Sequence, residues 1–216
     1  MKRRTLPAAA ALTATAALLL TACGGDETPK DQDKIAGAES SDAKKSPSPT
    51  ATPDTAGRPD IALPKDVKDV FEGWKTGDAT KDAVLADAGR AQTATNYAII
   101  KGNPEEPAMA FYRQGDALVS GQEWVQSFVK DNISYTGTVR YYSPNLQMFD
   151  KKAAGLVFCI DESKAYNKDL KTGKVEKTTP SNDSYVLYNT RLEKNDQGIW
   201  QTTKLISERG NKKCTP

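Results

Sequence analysis

Tyr135-Thr136-Gly137-Thr138-Val139-Arg140-Tyr141-Tyr142-Ser143, followed shortly by Ala153-Ala154-Gly155-Leu156-Val157-Phe158-Cys159-Ile160-Asp161, is where the chain changes its period. Tyr, Val, Thr and Ile dominate both segments, and their apolar positions alternate, as a pleated surface with one buried face requires. The same signature predicts strands over 135–143, 146–149, 153–161, 185–194 and 199–208, with a shorter ribbon pairing 164–168 with 174–177. Lys171-Thr172-Gly173-Lys174 and Asn195-Asp196-Gln197-Gly198 read as the turns between neighbours, with glycine supplying the positive φ.

Upstream of this segment the period is that of helices. Leu63, Val67, Val70, Phe71 and Trp74 fall at helical spacing after Pro64 and predict a first helix. A second helix is expected over 78–101, with Val84, Ala88, Ala91, Thr95 and Ala98 on one face and Gly102-Asn103-Pro104 ending it. A short helix is expected over 107–114. Ser120-Gly121-Gln122-Glu123 reads as a capping box that opens a last helix carrying Trp124, Val125, Phe128 and Val129. Helices followed by strands make an α+β fold, with N-terminal helices packed on one face of a curved antiparallel sheet. Trp74, Trp124 and Trp200 each sit in an apolar stripe or strand and are expected in the core.

The N-terminus carries a different message. Lys2, Arg3 and Arg4 precede an Ala/Leu-rich stretch, 6–20, that holds no charge and is shorter than a membrane-spanning helix. Leu20-Thr21-Ala22-Cys23 matches the lipobox of bacterial lipoproteins. That resemblance implies cleavage of a signal segment, 1–22, and a diacylglyceryl thioether on Cys23, anchoring the chain in the cell membrane on its extracytoplasmic face. An ordinary signal peptide with an incidental cysteine is the alternative, and Arg3-Arg4 leaves Sec and twin-arginine export both open. Residues 23–60 are Asp, Glu, Lys, Ser, Thr, Ala, Gly and Pro with Ile35 the lone large apolar side chain, a composition that predicts a disordered tether. One domain is expected over 61–216, about 155 residues.

The chain holds 30 basic and 28 acidic residues, a net charge of +2. Residues 1–22 hold three basic and no acidic residues, so residues 23–216 carry about −1, which argues against a nucleic-acid partner. Two cysteines remain beyond Cys23. Cys159 in a strand and Cys214 after the last one, in an exported chain, predict a disulfide rather than two free thiols. It would close a loop of about 55 residues and stabilise by about 4 kcal/mol on the chain-entropy model.

The succession of helices, Cys159-Ile160-Asp161-Glu162-Ser163, Lys171-Thr172-Gly173-Lys174, Tyr185-Val186-Leu187-Tyr188, Gly198-Ile199-Trp200 and a terminal Cys214 resembles actinobacterial lipoproteins with a nuclear transport factor 2-like domain, over about residues 61–214. The resemblance implies a cone in which a curved sheet wraps a long helix and leaves a pocket at its open end. Isomerases, dehydratases, ligand carriers and protein-binding modules all use that fold, so it implies no one activity.

Catalytic chemistry is narrowed by elimination. There are no histidines, which removes Ser-His-Asp triads, Cys-His dyads and histidine zinc sites. No phosphate-binding glycine loop and no metal-ligand spacing occurs, so neither cofactor nor metal is expected. What survives is a carboxylate base among tyrosines. Asp161, at the end of an apolar strand, is the candidate base, with Tyr141 or Tyr188 as pocket residues polarising a substrate oxygen. The competing reading makes Asp161 a solvated turn residue. The function expected is a non-enzymatic module that binds a small apolar ligand or an envelope component. A protein-interaction domain, or an isomerase-like enzyme using Asp161, is the alternative.

Overall fold

The computed structural model describes residues 57–216. The expected signal segment 1–22, the lipidated Cys23 and the tether as far as residue 56 lie outside the described residues. The elements in chain order are β1 (Val67–Phe71), α1 (Ala79–Lys101), α2 (Pro107–Tyr112), α3 (Asp116–Asp131), β2 (Ile133–Met148), β3 (Ala153–Asp169), β4 (Val175–Glu176), β5 (Tyr185–Lys194) and β6 (Trp200–Arg209).

Helix α1 follows its sequence signals closely. Asp78 caps it, its carboxylate accepting from the Thr80 and Lys81 amides, and Gly102 closes it in the left-handed conformation at φ 62°. Val84, Ala88, Ala91, Thr95 and Ala98 are all buried, as the apolar stripe requires. Helix α2 opens on Pro107, where the missing amide proton has no intrahelical acceptor to lose. Helix α3 begins earlier than expected. Gly115, at φ 55°, is its N-cap, and Ser120 lies inside the helix with its hydroxyl donating to the Ala117 carbonyl. The expected capping box is thus overridden by a glycine that turns the chain into the helix five residues sooner.

The largest departure is at the start. The expected first helix is the strand β1, which lies parallel to β2 in the register Val67 opposite Gly137 through Phe71 opposite Tyr141. A run with Val67, Val70 and Phe71 satisfies a period of two as well as one of 3.6, and the long-range ladder decides between them. The sheet is therefore mixed. Its order is β1-β2-β3-β5-β6, with β4 paired to β3, and every pairing except β1 with β2 is antiparallel. Strand β2 joins two expected strands into one across Ser143, which sits at φ 52° beside a register shift between Tyr142 and Asn145. Such bulges bend a sheet, and this one curves over α1 as the resemblance implies.

The inward parity of the sheet, with Tyr141, Phe158, Ile160, Val186 and Leu192, packs on α1 in one continuous core that also takes Tyr112, Met109 and Trp200. On the opposite parity Cys159 and Cys214 form the expected disulfide. Tyr142 donates its hydroxyl to the Cys214 carbonyl beside it.

One ionic cluster binds the start of the described chain to its last strand. Asp87 on α1 is fully buried. Its Oδ1 and Oδ2 take Nε and Nη2 of Arg58 at 3.0 and 2.9 Å, Arg90 approaches at 3.2 Å, and the backbone amide of Trp200 donates to Oδ2 at 3.0 Å. Removing the carboxylate leaves a partly buried guanidinium and a buried amide without their acceptor. Asp87→Ala is expected to lower unfolding free energy by about 3–5 kcal/mol, read from urea midpoints. Gly137 is a second fixed point, since at φ 105° an added Cβ would stand 2.1 Å from the Lys164 carbonyl oxygen. Gly137→Ala should destabilise by at least about 2 kcal/mol in the same assay, and wild-type stability would refute the register described.

Candidate functional site

A cavity of about 650 Å³ lies between the helices and the concave face of the sheet. The volume falls within the roughly 300–1,000 Å³ of small-molecule sites. Helix α1 contributes Gln92, Thr95, Asn96 and Ile99, and α3 contributes Gly121, Trp124 and Phe128. Alternate residues of the strands complete the wall: Tyr135, Val139 and Tyr141 from β2, Ile160 and Glu162 from β3, Val186 and Tyr188 from β5, Leu205 and Arg209 from β6. Gly121 keeps the wall thin. A Cβ there would meet the Met109 sulfur at 3.3 Å and the Arg113 Cδ at 3.6 Å.

Polar side chains share the wall with apolar ones, and several are held by named partners. The Asn96 amide donates to the Tyr141 hydroxyl at 2.8 Å and to Asp69 Oδ1 at 2.9 Å, so a carboxylate on β1 orients a polar atom in the wall. Burial pushes the Asp69 carboxyl up to about 6, against the pull of the Thr93 and Asn96 side chains. Asp69 itself is not part of the lining; Asn96 and Tyr141 are. Burial also raises the Tyr135 and Tyr141 phenols, with the charge of Asp69 adding to it. Glu162 and Arg209 neutralise each other across 2.7 Å. Arg113, just beyond α2, is 3% exposed and lines the cavity, its Nη2 donating to Gln92 Oε1 at 3.3 Å. Burial pulls its guanidinium below the usual arginine range.

Two of the residues singled out from sequence, Tyr141 and Tyr188, do line the cavity. Asp161 does not. Its neighbours Ile160 and Glu162 face the cavity, so the alternation of the strand turns Asp161 to the other face. There it meets Arg140 at 3.0 Å and accepts the Ser163 amide at 2.9 Å, and although its partial burial acts upward, these hydrogen bonds and the Arg140 charge hold its carboxyl below the usual range. A raised base requires the opposite. Trp74 and Trp200 are buried in the core, but Trp124 is 46% exposed and sits on the cavity wall, stacked edge-on against Phe128. Asp69, Asn96 and Arg113 went unremarked in the sequence. Asp69 carries a signal only once 67–71 is read as a strand, because it then shares a face with Val67 and Phe71.

Fold and site together define an α+β cone, with helices held in a curved mixed sheet around an internal cavity. No protein-family model matches the chain, and no curated protein does. Similar solved structures include a ketosteroid isomerase-like protein from Erwinia carotovora atroseptica SCRI1043, at 18% identity and TM-score 0.39, covering 59% of this chain and 93% of that one. The hexachlorocyclohexane dehydrochlorinase LinA-type3 from Novosphingobium barchaimii LL02 matches at 11% identity and TM-score 0.42, over 62% of this chain and 92% of its own. The intermembrane space region of the chloroplast protein ARC6 matches at 10% and 0.39, over 62% and 99%. Likeness this distant assigns no activity.

The raised Asp69 carboxyl makes stability depend on pH. Its folded-state value of about 6 lies above the ordinary 3.8, so the folded state holds the proton more tightly. The stability it contributes is complete below about pH 4 and is lost as pH rises through about 6. Asp69→Asn keeps an oxygen for Asn96 and carries no charge. It should therefore be more stable than wild type at pH 7, by at most about 3 kcal/mol, with the gap closing at pH 4. Equal urea midpoints at both pH values would sink this account.

Proposed function

We propose that this protein is a membrane-anchored, extracytoplasmic lipoprotein whose domain binds a small, largely apolar ligand without transforming it. Support for the anchor comes from the lipobox around Cys23. The observation that carries the binding role is the cavity itself, about 650 Å³ of space whose wall combines aromatic and aliphatic side chains with polar ones from helices and sheet. Such a volume exposes apolar surface that an evolved core would otherwise fill, and an apolar ligand completes the burial. Catalysis through Asp161 is disfavoured by its ion pair with Arg140 on the other face of the sheet.

An isomerase-like reading has one observation in its favour, the raised Asp69 carboxyl linked through Asn96 to the Tyr141 hydroxyl. It is weakened by the same geometry, since Asn96 and Tyr141 line the cavity and Asp69 does not. A general base must come within hydrogen-bond reach of the proton it takes.

Both halves of the proposal are open to test in a lipoprotein-processing bacterial host. An alkyne-bearing fatty acid should label the wild-type chain and leave Cys23→Ala unlabelled. Native mass spectrometry of the chain from residue 23, exported and purified without detergent, should show a reproducible extra mass. A clean apo mass with the disulfide intact would overturn the ligand reading in favour of a protein-contact domain.

A further inference from the structure

We propose that the cavity selects an amphiphile bearing one carboxylate, and that Arg113 receives that carboxylate. The inference rests on the ligand-binding reading and adds the chemical class of the ligand. Arg113 is 3% exposed, yet no acidic side chain pairs with it among the described residues. Its one side-chain partner is the neutral amide of Gln92, and its Nε has no hydrogen-bond partner at all. A buried cation without a countercharge is costly, and proteins keep such a group when something else completes it.

The surroundings show what could complete it. Arg113 is part of the cavity wall, so a carboxylate held in the cavity would lie beside its side chain. The carboxylates near the cavity are already engaged or elsewhere: Glu162 is paired with Arg209 at 2.7 Å, Asp69 accepts from Asn96, and Asp131 is exposed at the end of α3. None of them reaches Arg113. A planar guanidinium with open N–H donors matches a carboxylate in shape and charge. Ile99, Phe128, Val139, Ile160, Val186 and Leu205 give the wall an apolar stretch, so the part of the ligand that lies against them should be hydrocarbon. A guanidinium with no acidic partner and an apolar stretch of wall together describe an amphiphilic monocarboxylate.

The test uses a fluorescent polyene fatty acid, cis-parinaric acid, and its methyl ester, titrated into the chain from residue 23 with Cys23→Ser, which retains every described residue. The acid should bind about tenfold or more tighter than the ester. Arg113→Met should remove that preference by weakening the acid alone, and Arg113→Lys should restore part of it. The ligand-free Arg113→Met chain should melt at or above the wild-type temperature, because it loses an unpaired buried charge; a lower melting temperature would instead mark Arg113 as structural and overturn the proposal. Equal binding of acid and ester by wild type would also overturn it while leaving a ligand-binding cavity in place. Binding of neither probe would remove both the carboxylate inference and the ligand reading beneath it. The wild-type comparison decides the matter even if a variant fails to fold.

Discussion

Asp87 is the side chain on which the arrangement of layers depends. It lies in the middle of α1 and is fully buried, an expensive place for a carboxylate unless every lone pair is used. Here they are. Arg58 arrives from before the first strand, Arg90 from the same helix, and the Trp200 amide from the first residue of β6. Two segments remote in sequence therefore converge on one point of α1. The helix cannot rotate within the sheet without breaking these bonds, and its rotation decides which of its residues face the core. With Asp87 held, Ala88 and Ala91 sit in the core, and Gln92 and Asn96 are presented to the cavity.

The cavity is built by the same economy. Asn96 is held from outside the wall by Asp69 and meets Tyr141 within it. Glu162 and Arg209 cancel within the wall. Arg113 is left as a buried guanidinium in the wall with no acidic partner among the described residues.

Much of this fold could be read from the chain, and the failures have identifiable causes. Helix α1 was legible because its limits are local chemistry, the Asp78 cap and the Gly102 stop. The strands after residue 132 were legible because their alternation is sustained over many residues. Strand β1 was not, because Val67, Val70 and Phe71 fit two periods and the partner that decides between them lies some 70 residues onward. In the site, Tyr141 and Tyr188 do line the cavity, as their inward positions on β2 and β5 allow. Asp161 missed the cavity by one residue of parity, the smallest error a strand allows and one that reverses the face. Arg113 was illegible for a different reason. It follows a six-residue helix, and only the packing of α1, α3 and β6 around it creates its burial.

The unanticipated β1 also sets the character of the sheet's margins. An open sheet ends in two rows of backbone groups that a strand from another molecule could extend. On one side that row is five residues long, with Pro64 and Lys65 just before it and Lys68 exposed within it. On the other, the Gln114 amide donates to the Thr202 carbonyl at 3.0 Å, so the connection between α2 and α3 occupies the start of the β6 margin. The β1 margin is thus short and charged, whereas beyond Thr202 the β6 margin carries exposed side chains such as Ile206, so the two ends of the sheet differ as templates for strand addition.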